Sequence, residues 1–236
     1  MVSVAIHQPN FLPWLGYFNK IATADQFVLL DSVPAWRSGS HYFNRVQIMV
    51  SGKPAWITLP LSRQKEDRAS LLDCRISGHG NWQRKMLKTI SLNYAKARHF
   101  DEVMPHVEGW IGSEETSLAE FNTAIIMDVL HLLGMPVTHI SRSSTLDVSG
   151  SSTSLLIDIV KAVGGTDYLS GGGASGYQDE EAYAAAGIGL SFQSYAHPTY
   201  PQFGSGDFQP GLSVLDAMMH VGFAQTREMI DISGNK

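Results

Sequence analysis

Residues 2–31 run VSVAIHQPNFLPWLGYFNKIATADQFVLLD, and this stretch decides the fold. Val2–Ile6 is short, apolar and rich in β-branched residues, the pattern of a strand buried in a parallel sheet. The loop HQPNFLPW follows. Its prolines, Pro9 and Pro13, fix φ and bar helix until Pro13 itself, which suits a first turn. From Trp14 to Ala24 the spacing predicts a helix, with Leu15, Phe18 and Ile21–Ala22 recurring on one face. Asp25 and Gln26 break it. Phe27–Leu30 is a second buried strand, ending at Asp31. Strand, helix and strand in so short a span make a βαβ crossover with parallel strands.

Further along, Ser38–Ser62 reads as two strands, HYFNRVQIMV and PAWITLPLS, joined by Ser51-Gly52 in a hairpin. Arg63–Ser70 is a polar loop. Helices are predicted over Asn81–Ala97, Phe100–Ile111 and Ser117–Leu133, the last stopped by Gly134 before Pro136. Strand returns at Val137–Ile140. A Ser/Thr-rich segment then caps a helix over Leu155–Val163. Asp167–Ser170 is a strand, and the glycine-rich turn SGGGASGY follows it. Asp179–Ala186 is helical, Gly189–Tyr195 a strand, and Ser213–Val221 the last firm helix, with the tail DISGNK frayed. Strands alternating with helices at both ends imply an α/β fold: a Rossmann-like layered parallel sheet with an inserted β-hairpin and helices. Residues 38–134 form the candidate inserted subdomain of an otherwise single domain.

Composition narrows the function classes. The chain has 236 residues, 44% hydrophobic, enough for a sizeable core. Its 17 basic and 22 acidic residues give a formal charge of −5, which argues against a broad nucleic-acid footprint. A local basic patch remains open around Arg37, Arg45, Lys53 and Arg63. The lone cysteine, Cys74, cannot form an intrachain disulfide and reads as a small hydrophobe. No signal peptide or membrane-length apolar run is readable, so the expected compartment is cytoplasmic. The nine histidines show no ligand spacing, and no structural metal is expected.

Four constellations can carry chemistry. In HQPNFLPWLGYFNK, His7 and Gln8 stand at a strand end, where open parallel sheets bind ligands. Gly16 admits close approach, and Lys20 lies one turn later on the same face. The start resembles the nucleotidylyltransferase turn, in which a strand, a proline and an aromatic precede a His-x-Gly-His tetrad. Here Trp14-Leu15-Gly16-Tyr17 takes that place. The glycine is kept and both histidines are absent, so the groups that stabilise a phosphoryl transition state are missing. In SGSHYFNRV, His41, Asn44 and Arg45 can hold an anion. In YLSGGGASGYQD, Ser170, Gly171, Gly172 and Tyr177 belong to a turn able to cradle an anion, without the P-loop or dinucleotide pattern. In YAHPTYPQ, His197, Tyr200 and Gln202 can cover a site. Each group also has a bland alternative as core aromatic, solvated face, flexible turn or surface loop.

Together these residues resemble the WbqC-like family. The resemblance rests on AIHQPNFLPWLGYFNKI, a strand ending LLD, FNRVQI, a Trp-Ile-Thr-Leu-Pro strand and NWQRKMLKTISLNYAKARHF. It continues through TDYLSGGGASGY, SYAHPTYPQ and FQPGLSVLDAMMHVG, and so covers nearly the whole chain. It carries over motif positions without roles: His7, Gln8, Pro9, Trp14, Gly16, Tyr17, Lys20, Asn44, Arg45, Tyr94, Ser170, Gly171, Tyr177, Tyr200 and Gln202. It implies surface-polysaccharide (O-antigen-type) chemistry, in which an acyl- or aminoacyl-transferase tailors a nucleotide-linked amino sugar. On that expectation His7 is the catalytic base, since the sugar amine must lose a proton as it attacks an activated carbonyl. Lys20 and Arg45 hold the diphosphate or activated donor, and Tyr177 or Tyr200 stacks on the base or sugar. The co-substrate is ATP or an activated acyl donor. Two alternatives stay open: an ATP-dependent carboxylate-activating ligase and a non-catalytic sugar-nucleotide-binding protein.

Overall fold

The computed structural model describes residues 1–34, 42–62, 70–78, 80–174, 178–204 and 206–231. The expectations for Arg37, His41, Arg63–Ala69, Tyr177 and most of the tail lie outside those residues. Among the described residues there are seven strands and seven α-helices, with single 3₁₀ turns between some of them. The strands are β1 (Ser3–His7), β2 (Gln26–Leu29), β3 (Arg45–Val50), β4 (Lys53–Thr58), β5 (Ile140–Arg142), β6 (Asp167–Ser170) and β7 (Gly189–Phe192). The helices are α1 (Leu15–Thr23), α2 (Asn81–Tyr94), α3 (Phe100–Ile111), α4 (Leu118–Leu132), α5 (Ser152–Ala162), α6 (Glu180–Ala185) and α7 (Val214–Asp231).

Five strands form one parallel sheet in the order β5-β2-β1-β6-β7, the doubly wound arrangement expected from the opening βαβ unit. Alternation along the strands sorts side chains between its two faces. Val4, Ile6 and Val28 pack with Leu155, Ile159 and Tyr183 beneath α5 and α6. Ala5, Phe27 and Leu29 face a larger core shared by α1, the β3–β4 hairpin, α2–α4 and α7. Each large side chain removed from water contributes about 1.5–3 kcal/mol, so these two layers position everything else.

The hairpin pairs Val50 with Lys53 across Ser51 and Gly52, whose φ values of 51° and 75° make the tight primed turn that matches strand twist. β5 begins at Ile140, where the predicted Val137–Ile140 run ends, because residues 137–140 turn, with the Ile140 N–H donating to the Val137 carbonyl, and at its far end Arg142 bonds Asp31 just beyond β2. The last helix continues to Asp231 but breaks at Gly222, whose φ of 77° and ψ of 176° end the first segment at Val221 as expected. A Cβ at Gly222 would meet the His99 ring at 2.7 Å, so glycine is needed there for space as well as for backbone. Cys74 is buried, and burial pushes its thiol up, as suits an inert apolar filler. Among the described residues no helix is long and apolar enough to cross a membrane, and no cluster of His, Cys, Asp and Glu is arranged to hold a metal.

Candidate functional site

Strand order reverses at β1: the chain winds outward through β2 and β5, then returns to place β6 on the other side of β1. In such sheets the crevice beyond the carboxyl ends of the two diverging strands is where ligands bind. A cavity of about 440 Å³ lies at that point. Its walls include His7, Gln8, Trp14, Gly16, Tyr17 and Lys20 from the β1–α1 connection, and Ser170, Gly171 and Gly172 beyond β6. Nine residues singled out in the sequence, in two segments far apart in the chain, thus meet around one space.

The His7 ring is fixed by its neighbours. Its Nδ1–H donates to the Gln8 carbonyl 3.2 Å away, since a carbonyl can only accept. The same carbonyl accepts from the buried Tyr17 hydroxyl at 3.1 Å. Nε2 therefore carries the lone pair. Tyr17 and Trp14 pack edge-on against the ring, at 4.9 and 5.8 Å between centroids. Burial, and then the nearby charge of Lys20, hold the imidazole down to about 3, so it is neutral throughout the physiological range.

Lys20 is 3% exposed. Its Nζ donates to the Ile6 carbonyl at 3.0 Å and lies 5.9 Å from the Tyr168 ring centroid. No carboxylate among the described residues pairs with it. An ammonium has three donors, so this one enters the pocket with charge and donors to spare. Burial lowers it to about 8. Opposite, the Ser170 hydroxyl is buried without a well-formed hydrogen bond. Buried groups of this kind are uncommon, and a cation plus a hydroxyl left open at a strand-end crevice is the donor set for an anion. Gly172 packs so closely on the strand after β6 that a Cβ would lie 2.7 Å from the Gln193 carbonyl, whereas Cβ atoms at Gly171 and Gly173 would meet nothing within 4 Å. The turn is thus anchored at its centre and open on either side.

The space over Gly16, expected to admit a ligand, is taken by protein: a Cβ there would meet the Trp14 ring at 2.9 Å and Tyr195 at 3.1 Å. Its role in the wall is to let these rings close over α1. Tyr168, Gln178 and Gln193 also line the cavity and were not singled out in the sequence. Gln193 ties its wall together, donating to the Gly16 carbonyl and to Asn19 Oδ1, each at 2.8 Å. A lone glutamine after a strand has no motif to announce it.

The other expected residues sit elsewhere. Asn44 donates to the Leu59 carbonyl at 3.3 Å at the open end of the hairpin, and the Arg45 guanidinium lies over Trp56, 4.5 Å from its ring centroid. Tyr200 and Gln202 turn inward, donating to the fully buried Asp216 at 2.9 and 3.1 Å, where Tyr94 also donates at 2.6 Å. Burial raises the Asp216 carboxyl despite these three donors. Tyr200 and Gln202 line a different hollow, of about 460 Å³. His197 is partly buried against Tyr195 and is lowered by burial.

Comparison with known proteins bears out the family resemblance. The chain is 28% identical over 228 residues to the uncharacterized protein Rv1507c of Mycobacterium tuberculosis (strain ATCC 25618 / H37Rv), covering 94% of this chain and 95% of that protein. No solved structure matches it. The model of the WbqC-like protein family matches residues 8–228, a span that holds α1, every strand but β1 and all of the pocket wall but Ile6 and His7, and the chain belongs to that family.

Proposed function

We propose that this protein is an acyl- or aminoacyl-transferase acting on the amine of a nucleotide-linked sugar, with the cavity at the β1–β6 divide as its active site. The observation that supports it most is the pairing, in one pocket, of a tautomer-fixed neutral histidine with an uncompensated buried lysine. The lysine and the Ser170–Gly173 turn suit the phosphates of the carrier. The histidine suits the proton that must leave the nitrogen.

In the reaction the sugar nitrogen attacks the carbonyl carbon of the activated donor. A C–N bond forms, the bond from that carbon to the leaving group breaks, and the proton on nitrogen passes through His7 Nε2 to the leaving group. The balance is amine plus activated acyl donor giving amide plus protonated leaving group. An imidazole held at about 3 is a weak base on its own. Part of that depression comes from Lys20, so a phosphate neutralising the ammonium moves the ring back toward its ordinary range when substrate is present.

The low basicity of His7 also favours a second reading, a non-catalytic sugar-nucleotide-binding protein. Incubation with nucleotide-linked amino sugars and acyl donors, followed by mass spectrometry for the amide, separates the two. Product from a pre-activated donor, lost in His7→Ala with the fold intact, supports the transferase. Product only with ATP and a free acid turns the assignment to a carboxylate-activating ligase. Thermal stabilisation by nucleotide sugars with no product from any donor leaves the binding protein. A fully active His7→Ala variant refutes the histidine's role.

A further inference from the structure

The aromatic wall of the pocket does not end at Trp14. The Tyr42 ring stands 5.2 Å from that of Trp14, and Trp56 stands 5.8 Å from Tyr42, each pair tilted by a little over 50°. Tyr42 is 42% exposed and Trp56 40%. They are the exposed aromatics among the described residues, and they touch each other. Single exposed hydrophobic residues are ordinary. A contiguous pair that prolongs the rim of a ligand cavity is a surface left uncovered for a reason.

The hairpin explains how the surface is held. Val46, Ile48 and Ile57 point into the core, so their neighbours Arg45, Gln47, Trp56 and Thr58 share the opposite face. Register puts Gln47 directly across from Trp56 and Arg45 across from Thr58. Arg45 therefore reaches diagonally over the Trp56 ring, where its guanidinium rests at 4.5 Å. Its Nε is buried without a partner, and no carboxylate among the described residues pairs with it. The two strands thus present the Trp56 ring, an amide able both to donate and to accept, and a cation, and Tyr42, in the turn before β3, extends the ring surface toward Trp14.

We propose that Tyr42 and Trp56, continuing from Trp14, form the subsite that stacks the heteroaromatic base of a nucleotide whose phosphates lie on Lys20 and the Ser170–Gly173 turn. The inference rests on the reading of the pocket as a nucleotide-sugar site and says where the nucleoside end goes. A base offers a π face to any aromatic ring, and an arginine beside the stack adds attraction to it. Gln47, directly across from Trp56, is placed to bond the base edge. Charge is placed along the same line, since Lys20 lines the cavity and Arg45 lies outside it, over Trp56.

The test is calorimetric binding of UDP, ADP and GDP, each compared with inorganic pyrophosphate, to the full chain and to Trp56→Ala, Trp56→Phe and Lys20→Met. Stacking on one aromatic is worth roughly a 5- to 100-fold change in affinity. At least one nucleoside diphosphate should bind the unaltered protein tighter than pyrophosphate by a factor in that range. Trp56→Ala should erase that advantage, Trp56→Phe should keep most of it, and pyrophosphate should bind all three alike. Lys20→Met should weaken pyrophosphate and nucleotide together. The subsite is refuted if Trp56→Ala binds nucleotide as the unaltered protein does, or if no nucleotide outbinds pyrophosphate while Lys20 still governs pyrophosphate. In either case the pocket keeps its anion and loses only the base. If neither pyrophosphate nor any nucleotide binds the unaltered protein, both the pocket reading and the subsite fall.

Discussion

Lys20→Met asks directly whether the buried ammonium is kept for a ligand or for the fold. Methionine is close in length and flexibility, so the change removes charge with little change in volume. In the folded chain burial lowers the lysine from 10.5 to about 8. At 1.36 kcal/mol per pH unit that corresponds to about 3 kcal/mol against the charged form in the folded state. Below pH 8 both folded and unfolded chains carry the proton, and the whole penalty is present. Between pH 8 and 10.5 the unfolded chain holds more protons than the folded one, so stability rises with pH across that window. Lys20→Met should therefore be more stable than the unaltered protein by about 2–3 kcal/mol at pH 7, with the difference shrinking to under about 1 kcal/mol at pH 10 and vanishing above the unfolded value. Urea unfolding of both proteins at pH 7, 8.5 and 10 measures this, and taking the difference cancels other groups that titrate there. With pyrophosphate at a hundred times its dissociation constant for the unaltered protein, that protein should gain about 2.7 kcal/mol and Lys20→Met markedly less. A variant destabilised at pH 7, with a pH-independent difference, would refute the reasoning, because it would mean that the lysine's bond to the Ile6 carbonyl outweighs the cost of burying its charge.

Three further outcomes follow from the geometry. Gly172→Ala should cost about 1–3 kcal/mol by chemical denaturation, since its methyl would meet the Gln193 carbonyl, while Gly171→Ala should fold normally and weaken only ligand binding; equal stability of the two variants would contradict the packing. Tyr200→Phe should lose about 1.5–3 kcal/mol through its missing bond to the Asp216 carboxylate and leave pyrophosphate affinity unchanged; lost binding at full stability would place Tyr200 in the site after all. Burial tends to raise the Asp31 carboxyl, but Arg142, Ser144 and Ser143 bond it and hold it below the usual carboxylate value. Its contribution is therefore present at neutral pH and lost as the solution is acidified through the folded value. Asp31→Asn should be less stable at pH 7 and should flatten the acid side of the stability curve, which thermal melts from pH 7 to 3 would show.

What the sequence reveals of this protein depends on whether the cause is local. The opening βαβ unit is legible because strand period, helix period and two prolines all act within a few residues. The hairpin is legible because Ser51-Gly52 accepts positive φ on both residues. The end of the first α7 segment at Val221 is legible in Gly222, but the helical turns beyond it are not, because the chain resumes against His99 and α1 through contacts made at long range. Tyr200 and Gln202 misled for a related reason: polar residues in a proline-bounded loop look like a cover, and only the fold reveals that Asp216 lies buried beneath them. Gln193 went unseen because its partners, Gly16 and Asn19, are on another element.

The site itself lies between these cases. The polar groups after β1 and the glycines after β6 were each visible as strand-end features, yet nothing in either segment shows that they meet. Their meeting follows from strand order. Had β6 joined the sheet at the outer edge of β5, two strands would stand between Ser170 and His7, and Lys20 would be a buried charge without that turn across from it. Because β6 returns to pair with β1, with Ser3 facing Asp167 and Ala5 facing Leu169, both strands end at the same level on either side of one crevice. Residues placed just past those two ends share that crevice wherever they fall in the chain. The topology that buries the parallel sheet is thus the same one that sets an unpaired lysine, a tautomer-fixed histidine and an open glycine turn around a common space, and a rearrangement that preserved every local motif but moved β6 would leave the motifs without a site.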